Sequence, residues 1–270
     1  MKAIYEKYLR KEALPFIFCS GCGDGTVLNS FIRALDKLGI QKNDMGLASG
    51  IGCSSWCPVY LDFDVIHSLH GRAIACAEGL KIARPEKKVV VFTGDGDCAG
   101  IGGNHLIHAA RRNIDITVIE ISNFIYGMTG GQKAPTTPYG AKTKTSPLGN
   151  EENPFDLFKL VVGSGGTFFA RWTSAHPIQM EKAFIDAINH KGFSFVEVFT
   201  QCPAQAGRSI FDIQRPDEML SYFKENTYIV KEGQAPDEGN SKTPLGLLHV
   251  SQRKEFMESL REVEERGVDA

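Results

Sequence analysis

Unbroken apolar runs alternate with amphipathic stretches along most of this chain. Strands are predicted at Met45–Ser49, Val65–Ser68, Val89–Thr93, Ile116–Ile121, Thr167–Ala170 and Phe195–Val198. These runs show little apolar–polar alternation, the pattern of strands buried on both faces. Between them, apolar residues recur every three or four positions and predict helices over Gly25–Leu38, Gly71–Ala83, Ala99–Arg112, Asp156–Val162 and Ile178–His190. Regular alternation of strand and helix predicts an α/β fold, a parallel sheet with helices on both faces.

At 270 residues the chain is long enough to bury one sizeable core. Residues 1–210 read as one main domain and 211–270 as a C-terminal extension whose pattern loosens through Gly233–Pro244. Its closing charged helix, around Arg253–Arg266, reads as a subunit-contact arm, with a solvated tail as the plainer alternative. Phe168, Phe169 and Trp172 are expected in the core. Glu78, Lys81 and Arg84, spaced three apart on one helix, are expected to form a solvated face. His105 and His108 read as surface or packing residues, because no third ligand accompanies them. Gly130–Asn150, rich in Gly, Pro and Thr, exceeds an ordinary connection, and such segments are commonly functional or mobile.

The strongest local signal closes the Val89–Phe92 run: Gly94-Asp95-Gly96-Asp97. Glycines let the backbone turn tightly and approach a ligand. Asp95 falls at a strand's carboxyl end, the edge of a parallel sheet where phosphates bind. One βα unit later, Asn123 and the backbone carbonyl of Ile125 leave the next strand. If the two strands are neighbours, three hard oxygens can face one cation, a set suited to Mg²⁺ carrying a diphosphate. Taken alone, Gly-Asp-Gly is equally a simple turn after a strand. The accompanying Asn favours the metal.

Cysteines form a second constellation. Cys19-Ser20-Gly21-Cys22 is joined by Cys53, within Gly50-Ile51-Gly52-Cys53-Ser54-Ser55, and by Cys202, which ends an apolar strand and precedes Pro203. Four thiolates gathered from distant loops can hold a cubane iron–sulfur cluster. Cys-x-x-Cys alone also suits a redox dithiol or half a zinc site, but no second Cys-x-x-Cys or His-x-x-x-His completes a zinc pattern. Cys57 and Cys98 are rivals to Cys202, and Cys76 reads as a small buried hydrophobe. Seven cysteines is an odd count, no apolar leader follows Met1-Lys2-Ala3, and no run approaches about 18 apolar residues. A reduced, cytoplasmic protein with no membrane span is expected. A net charge of −2 argues only against nucleic-acid binding as the main role.

Gly-Asp-Gly followed by Asn resembles the thiamine diphosphate signature. Phe18-Cys19-Ser20-Gly21-Cys22-Gly23, Gly50–Ser55, His70-Gly71-Arg72, Gly94–Asp97 and Tyr126-Gly127-Met128-Thr129-Gly130-Gly131-Gln132 together resemble the β subunit of 2-oxoacid:ferredoxin oxidoreductases, over residues 15 to 210. That resemblance implies a fold of the thiamine diphosphate-binding, diphosphate-holding type. It implies Mg²⁺ on Asp95, Asn123 and the Ile125 carbonyl, and one [4Fe–4S] cluster on Cys19, Cys22, Cys53 and Cys202. The cofactor would touch Ile51, Gly52, Cys53, Ser54, His70, Asp95, Gly96, Asp97, Asn123, Ile125, Gly127, Met128 and Thr129. His70 is the candidate catalytic residue, its plain alternative being a helix-entry histidine held by backbone.

The implied activity is CoA-dependent oxidative decarboxylation of a 2-oxo acid to acyl-CoA and CO₂, with electrons passed through the cluster to ferredoxin. In this family an α subunit supplies the pyrimidine-binding half and the glutamate that assists the cofactor. An αβ or (αβ)₂ heteromer, with room for further small subunits, is therefore expected, and the β chain alone should be inactive. Two departures bear on substrate. Trp56 stands where some members carry a basic residue, and Met128 where pyruvate-specific relatives have Asn. The first means that a substrate carboxylate must be recognised elsewhere; the second disfavours pyruvate, and 2-oxoglutarate is preferred, with branched-chain 2-oxo acids next. A nonoxidative thiamine enzyme with structural cysteines, and a noncatalytic electron-transfer scaffold, are the rival readings.

Overall fold

Val89-Val90-Val91-Phe92 lies at the middle of the sheet with every side chain buried. In this computed structural model, which describes residues 2–268, the chain runs α1 (Lys2–Tyr8), α2 (Asp24–Leu38), β1 (Met45–Ser49), β2 (Asp64–His67), α3 (Ala73–Ala83), β3 (Lys88–Gly94), α4 (Gly103–Arg112), β4 (Thr117–Ser122), β5 (Ile125–Tyr126), β6 (Gln132–Lys133), α5 (Leu157–Gly163), β7 (Phe168–Thr173), α6 (Pro177–Asn189), β8 (Ser194–Phe199), α7 (Pro216–Glu225), β9 (Thr227–Ile229), β10 (Thr243–Val250) and α8 (Phe256–Val268).

Eight strands form one sheet in the order β2-β1-β3-β4-β8-β7-β10-β9. The six from β2 to β7 are parallel, as unalternating apolar runs require. Val90, Phe92, Ile119, Ile121 and Val198 pack on one face with α2 and α6, whose apolar positions include Val27, Phe31, Leu35 and Phe184. Val89, Val91, Val118 and Phe195 pack on the other with residues of α3, α4 and α5. Helices therefore cover both faces. The α2 helix stops at Gly39, which takes a left-handed φ of 67° and returns its N–H to Leu35 and Asp36 carbonyls. Among the described residues no helix is long and apolar enough to cross a membrane.

The structure departs from the sequence reading at several places. The boundary at residue 210 is not an architectural one, because β10 from the C-terminal extension pairs antiparallel with β7 and carries β9 beyond it. Helix α8 is docked rather than free at its start: buried Glu255 accepts N–H bonds from Met257 and Glu258 and also from Asp115. Lys81 is not solvated. It is 4% exposed, and its ammonium is held by Asp115 at 2.7 Å and by the Lys87 carbonyl at 2.9 Å. Finally, Cys76 is half-buried rather than enclosed. Phe168, Phe169 and Trp172 do lie in the core.

One polar row crosses this apolar sheet. Thr93, Glu120, Glu197 and Arg171 occupy matching positions on β3, β4, β8 and β7, and all four are buried. Arg171 pairs with Glu197 at 2.5 Å, leaving both Glu120 carboxylate oxygens without a partner. Burial pushes the Glu120 carboxyl well above the usual range, reinforced by Glu197 and Asp95 and opposed by Arg171. A raised folded-state value means the neutral acid stabilises the fold below the unfolded value, and that contribution is lost as pH rises through the folded one. Glu120→Gln is therefore expected to flatten the fall in Tm as pH rises above the ordinary carboxyl range and to raise Tm at the alkaline end. Thermal melts of both proteins across that rise in pH test this. An unchanged slope would mean that Glu120 is not the group responsible.

Candidate functional site

Adjacent strands decide where the chemistry can lie. Gly94 at the end of β3 pairs with Ile121 of β4, so the residues that follow, Asp95 and Asn123, emerge side by side. Asp95 is buried, and the Thr136 hydroxyl donates to its Oδ2. Burial pushes its carboxyl up to about 6, partly offset by the Thr136 hydroxyl and nearby backbone N–H groups. Asn123 Oδ1 accepts the Ile125 N–H at 3.2 Å, and Phe124 between them adopts a left-handed φ of 66°. The helix expected from Ala99 does not start there. Gly96–Ile101 forms a widened π-helical turn with non-helical backbone at Gly100, and α4 begins only at Gly103. Such turns recur at functional sites because they re-aim the chain beside a ligand.

Gly96 meets a steric demand. A β-carbon there would lie 2.2 Å from Tyr126 Cε1, while the Tyr126 hydroxyl donates to the Gly96 carbonyl at 3.0 Å. Asp97 ties three segments together, accepting from Gly71 N–H at 2.7 Å, Ile51 N–H at 3.2 Å and the Thr93 hydroxyl at 2.7 Å. His70 Nδ1 lies 2.7 Å from Asp97 Oδ1. Nδ1 makes no directed hydrogen bond. His70 thus sits against the carboxylate of Asp97 in the Gly94–Asp97 turn.

All positions expected to touch the cofactor line one cavity of about 300 Å³, which also gathers Gly94, Ile121 and Tyr126. Tyr126 carried a signal, since it opens the Tyr126–Gln132 motif. Gly94 and Ile121 carried none beyond their strands. Trp56 is not among the lining residues; it packs against the core beside Tyr60. Met128, which does line the cavity, is 47% exposed. A larger cavity of about 990 Å³ lies behind the site, walled by Phe124, Thr136, Arg171, Glu197 and residues of α7 and β10. It contains none of the cysteines and neither Asp95 nor Asn123.

Cys19, Cys22, Cys53 and Cys202 approach one another beside the smaller cavity. The Gly23 N–H donates to the Gln201 carbonyl at 3.0 Å, binding the Cys19–Cys22 loop to the Cys202 segment. A β-carbon placed on Gly127 would lie 3.7 Å from Asn123 Nδ2, 3.8 Å from Cys202 Sγ and 3.9 Å from Cys53 Sγ. Burial raises the Cys53 thiol to about 12 and the Cys22 thiol further, with negative charge on Asp24 and neighbouring cysteines adding to both. Asp24, at the start of α2, was not singled out from the sequence. It is buried, neither carboxylate oxygen has a hydrogen-bond partner, and its carboxyl is pushed up to about 6, chiefly by burial. The rivals lie elsewhere: Cys57 is enclosed in the core under α2, and Cys98 is buried on the opposite face of the sheet. Among the described residues no group of three or more His, Cys, Asp or Glu side chains is drawn around a single metal ion.

Residues 50–198 match the thiamine pyrophosphate enzyme family by its C-terminal TPP binding domain. The chain is 51% identical to the 2-oxoglutarate synthase subunit KorB of Methanocaldococcus jannaschii, over 96% of this chain and 97% of that protein. It belongs to the KorB family of 2-oxoacid:ferredoxin oxidoreductase β subunits. The KorB of Archaeoglobus fulgidus is 49% identical over 97% of this chain and 95% of that protein. A solved structure, 2-oxoglutarate:ferredoxin oxidoreductase from Magnetococcus marinus with 2-oxoglutarate, coenzyme A and succinyl-CoA bound, superposes with a TM-score of 0.89. It is 33% identical and covers 97% of this chain and 90% of that one.

The Gly96–Tyr126 contact makes a sharp expectation. Gly96→Ala should displace Tyr126 from the cavity wall and weaken thiamine diphosphate binding in the assembled enzyme. Calorimetric titration with the cofactor measures it. Wild-type affinity in the variant would show that the ring moves aside freely.

Proposed function

We propose that this chain is the diphosphate-holding, electron-accepting half of a 2-oxoglutarate:ferredoxin oxidoreductase. Asp95, Asn123 and the Ile125 carbonyl would hold Mg²⁺ against the diphosphate. Cys19, Cys22, Cys53 and Cys202 would hold one [4Fe–4S] cluster. The observation that carries this reading is the meeting at Gly127, where the Asn123 side chain and two of the four sulfurs converge on one point of the cavity wall. Cys53 belongs to both constellations, lining the cavity and facing the other thiols.

The donor chemistry fits both groups. One carboxylate, one amide and one carbonyl are hard oxygens of the kind Mg²⁺ takes alongside phosphate. A cation there would favour the ionised form of a carboxyl that burial now disfavours. For the thiols, burial disfavours free thiolates, and iron supplies the missing positive charge. A cubane spreads its ligands over four iron corners, which accords with four cysteines that are neighbours without surrounding one ion. When bound, thiamine diphosphate supplies the carbanion chemistry of decarboxylation and the cluster a one-electron exit.

The protein's own part is placement. Asp97 sets the His70 imidazole at the cavity wall, its Oδ1 2.7 Å from Nδ1. Ile51 and Met128, exposed apolar side chains that line the cavity, suit an α subunit closing over it. Met128 puts a flexible apolar side chain, not a polar amide, on the cavity wall. This accords with 2-oxoglutarate over pyruvate, the distal carboxylate being met from the α side.

Anaerobic iron, sulfide and thiamine diphosphate analysis of the copurified complex, with EPR before and after 2-oxoglutarate plus CoA, tests the reading. About four irons on this chain, bound cofactor and a substrate-generated signal are expected. Cofactor without iron would instead indicate a nonoxidative thiamine enzyme, and absence of both a scaffold. Initial rates should rank 2-oxoglutarate above pyruvate and 2-oxoisovalerate; the reverse order would overturn the substrate assignment. Cys202→Ser is expected to lose cluster iron while Cys57→Ser keeps it.

A further inference from the structure

We propose that Thr136, Thr137 and Phe124 are positioning residues that brace the metal-binding oxygens before any cofactor arrives, an inference that rests on the Mg²⁺ reading above. The two threonines sit in the long segment after β6, and consecutive hydroxyls reach two different strand ends. Thr136 donates to Asp95 Oδ2, following β3, and Thr137 donates to the Phe124 carbonyl at 2.6 Å, following β4. One rigid dipeptide thus spans the two chain segments that carry the proposed ligands. Both residues are buried, and the Thr137 hydroxyl is used twice, since it also accepts the Ala134 N–H at 2.9 Å. The segment is anchored from behind: Asn150 Nδ2 donates to the Thr137 carbonyl at 2.8 Å, and the Phe155 N–H to the Pro135 carbonyl at 2.9 Å.

Phe124 supplies the other end of the brace. It stands between Asn123 and Ile125 in a left-handed conformation that a bulky residue rarely adopts. Backbone of this kind persists only where its surroundings over-determine it, and such residues cluster at ligand clamps. Two contacts do so here. Its carbonyl is held by Thr137, and its ring packs edge-on against Phe199 and Phe211, with centroids 5.0 and 5.8 Å away. The turn carries the chain from β4 past Asn123 and returns it through Ile125 into β5, whose partner β6 leads back to the threonines. The ligand-bearing turn and its brace are therefore one closed loop. Residues that orient metal ligands in this way change metal affinity by about 10- to 100-fold when removed.

The test uses the assembled complex with Mn²⁺ as the probe, titrated by EPR in the presence of thiamine diphosphate. Cluster content and Tm are recorded in parallel. Thr136→Val is expected to weaken Mn²⁺ binding by roughly 10- to 100-fold with the cluster retained, and Thr136→Ser to restore it. Thr137→Val and Phe124→Gly, the latter keeping the left-handed backbone without the ring, should weaken it in the same direction. A purely structural role would lower Tm without a serine-rescued change in metal affinity. Wild-type uptake with unchanged affinity in these three weakening variants would overturn the brace alone. No Mn²⁺ uptake by the wild-type complex would overturn the metal reading and the brace with it.

Discussion

A carboxylate buried at the carboxyl edge of the sheet is the constraint around which the site is arranged. Asp95 has left water, and an ionised carboxylate in such surroundings is costly unless paired or hydrogen-bonded. One oxygen has the Thr136 hydroxyl. Backbone N–H groups offset part of the remainder, and burial still holds the carboxyl up at about 6, a cost that the proposed cation would relieve. Gly96 keeps the backbone close under Tyr126, the widened turn delays α4 until Gly103, and the β3–β4 register delivers Asn123 to the same edge. Each feature is unfavourable or unnecessary for the strand–helix connection alone, and together they make sense as the surroundings of a metal-bound diphosphate.

The parallel strands were legible in the sequence because double-sided burial removes polar alternation, and Val89–Phe92 or Phe195–Val198 can then be little else. The cavity was legible because its residues come in compact motifs that lie at successive strand ends. Three kinds of feature were not. Strand β10 contains Pro244 and Gly246 and follows a polar stretch, so local propensity argues against a strand that only the β7 edge makes favourable. Lys81 looks like a solvated helix position until the fold brings Asp115 to it from the start of β4. Asp24 and Thr136 matter because of what the tertiary structure sets beside them, a group of thiols in one case and Asp95 in the other. No periodicity encodes such neighbours.

Electron transfer to the proposed cluster would set a further demand on this fold. Electrons leaving a cofactor bound through Asp95 and Asn123 need an acceptor close by, yet a cluster inside the same cavity would obstruct substrate. Placing Cys53 in the cavity wall resolves the conflict, since its sulfur can face the cluster while its backbone borders the cofactor. Gly127 completes the arrangement. A β-carbon there would already sit at van der Waals distance from the Asn123 amide and the sulfurs of Cys53 and Cys202, so the bare backbone leaves space between the two sets of proposed ligands. The sequence order of these residues scatters them over most of the chain. A sheet whose successive strands end on one edge, with the Cys19–Cys22 loop tied to it through Gln201, gathers them, and on the proposed reading this lets one domain hold a diphosphate and a redox centre together.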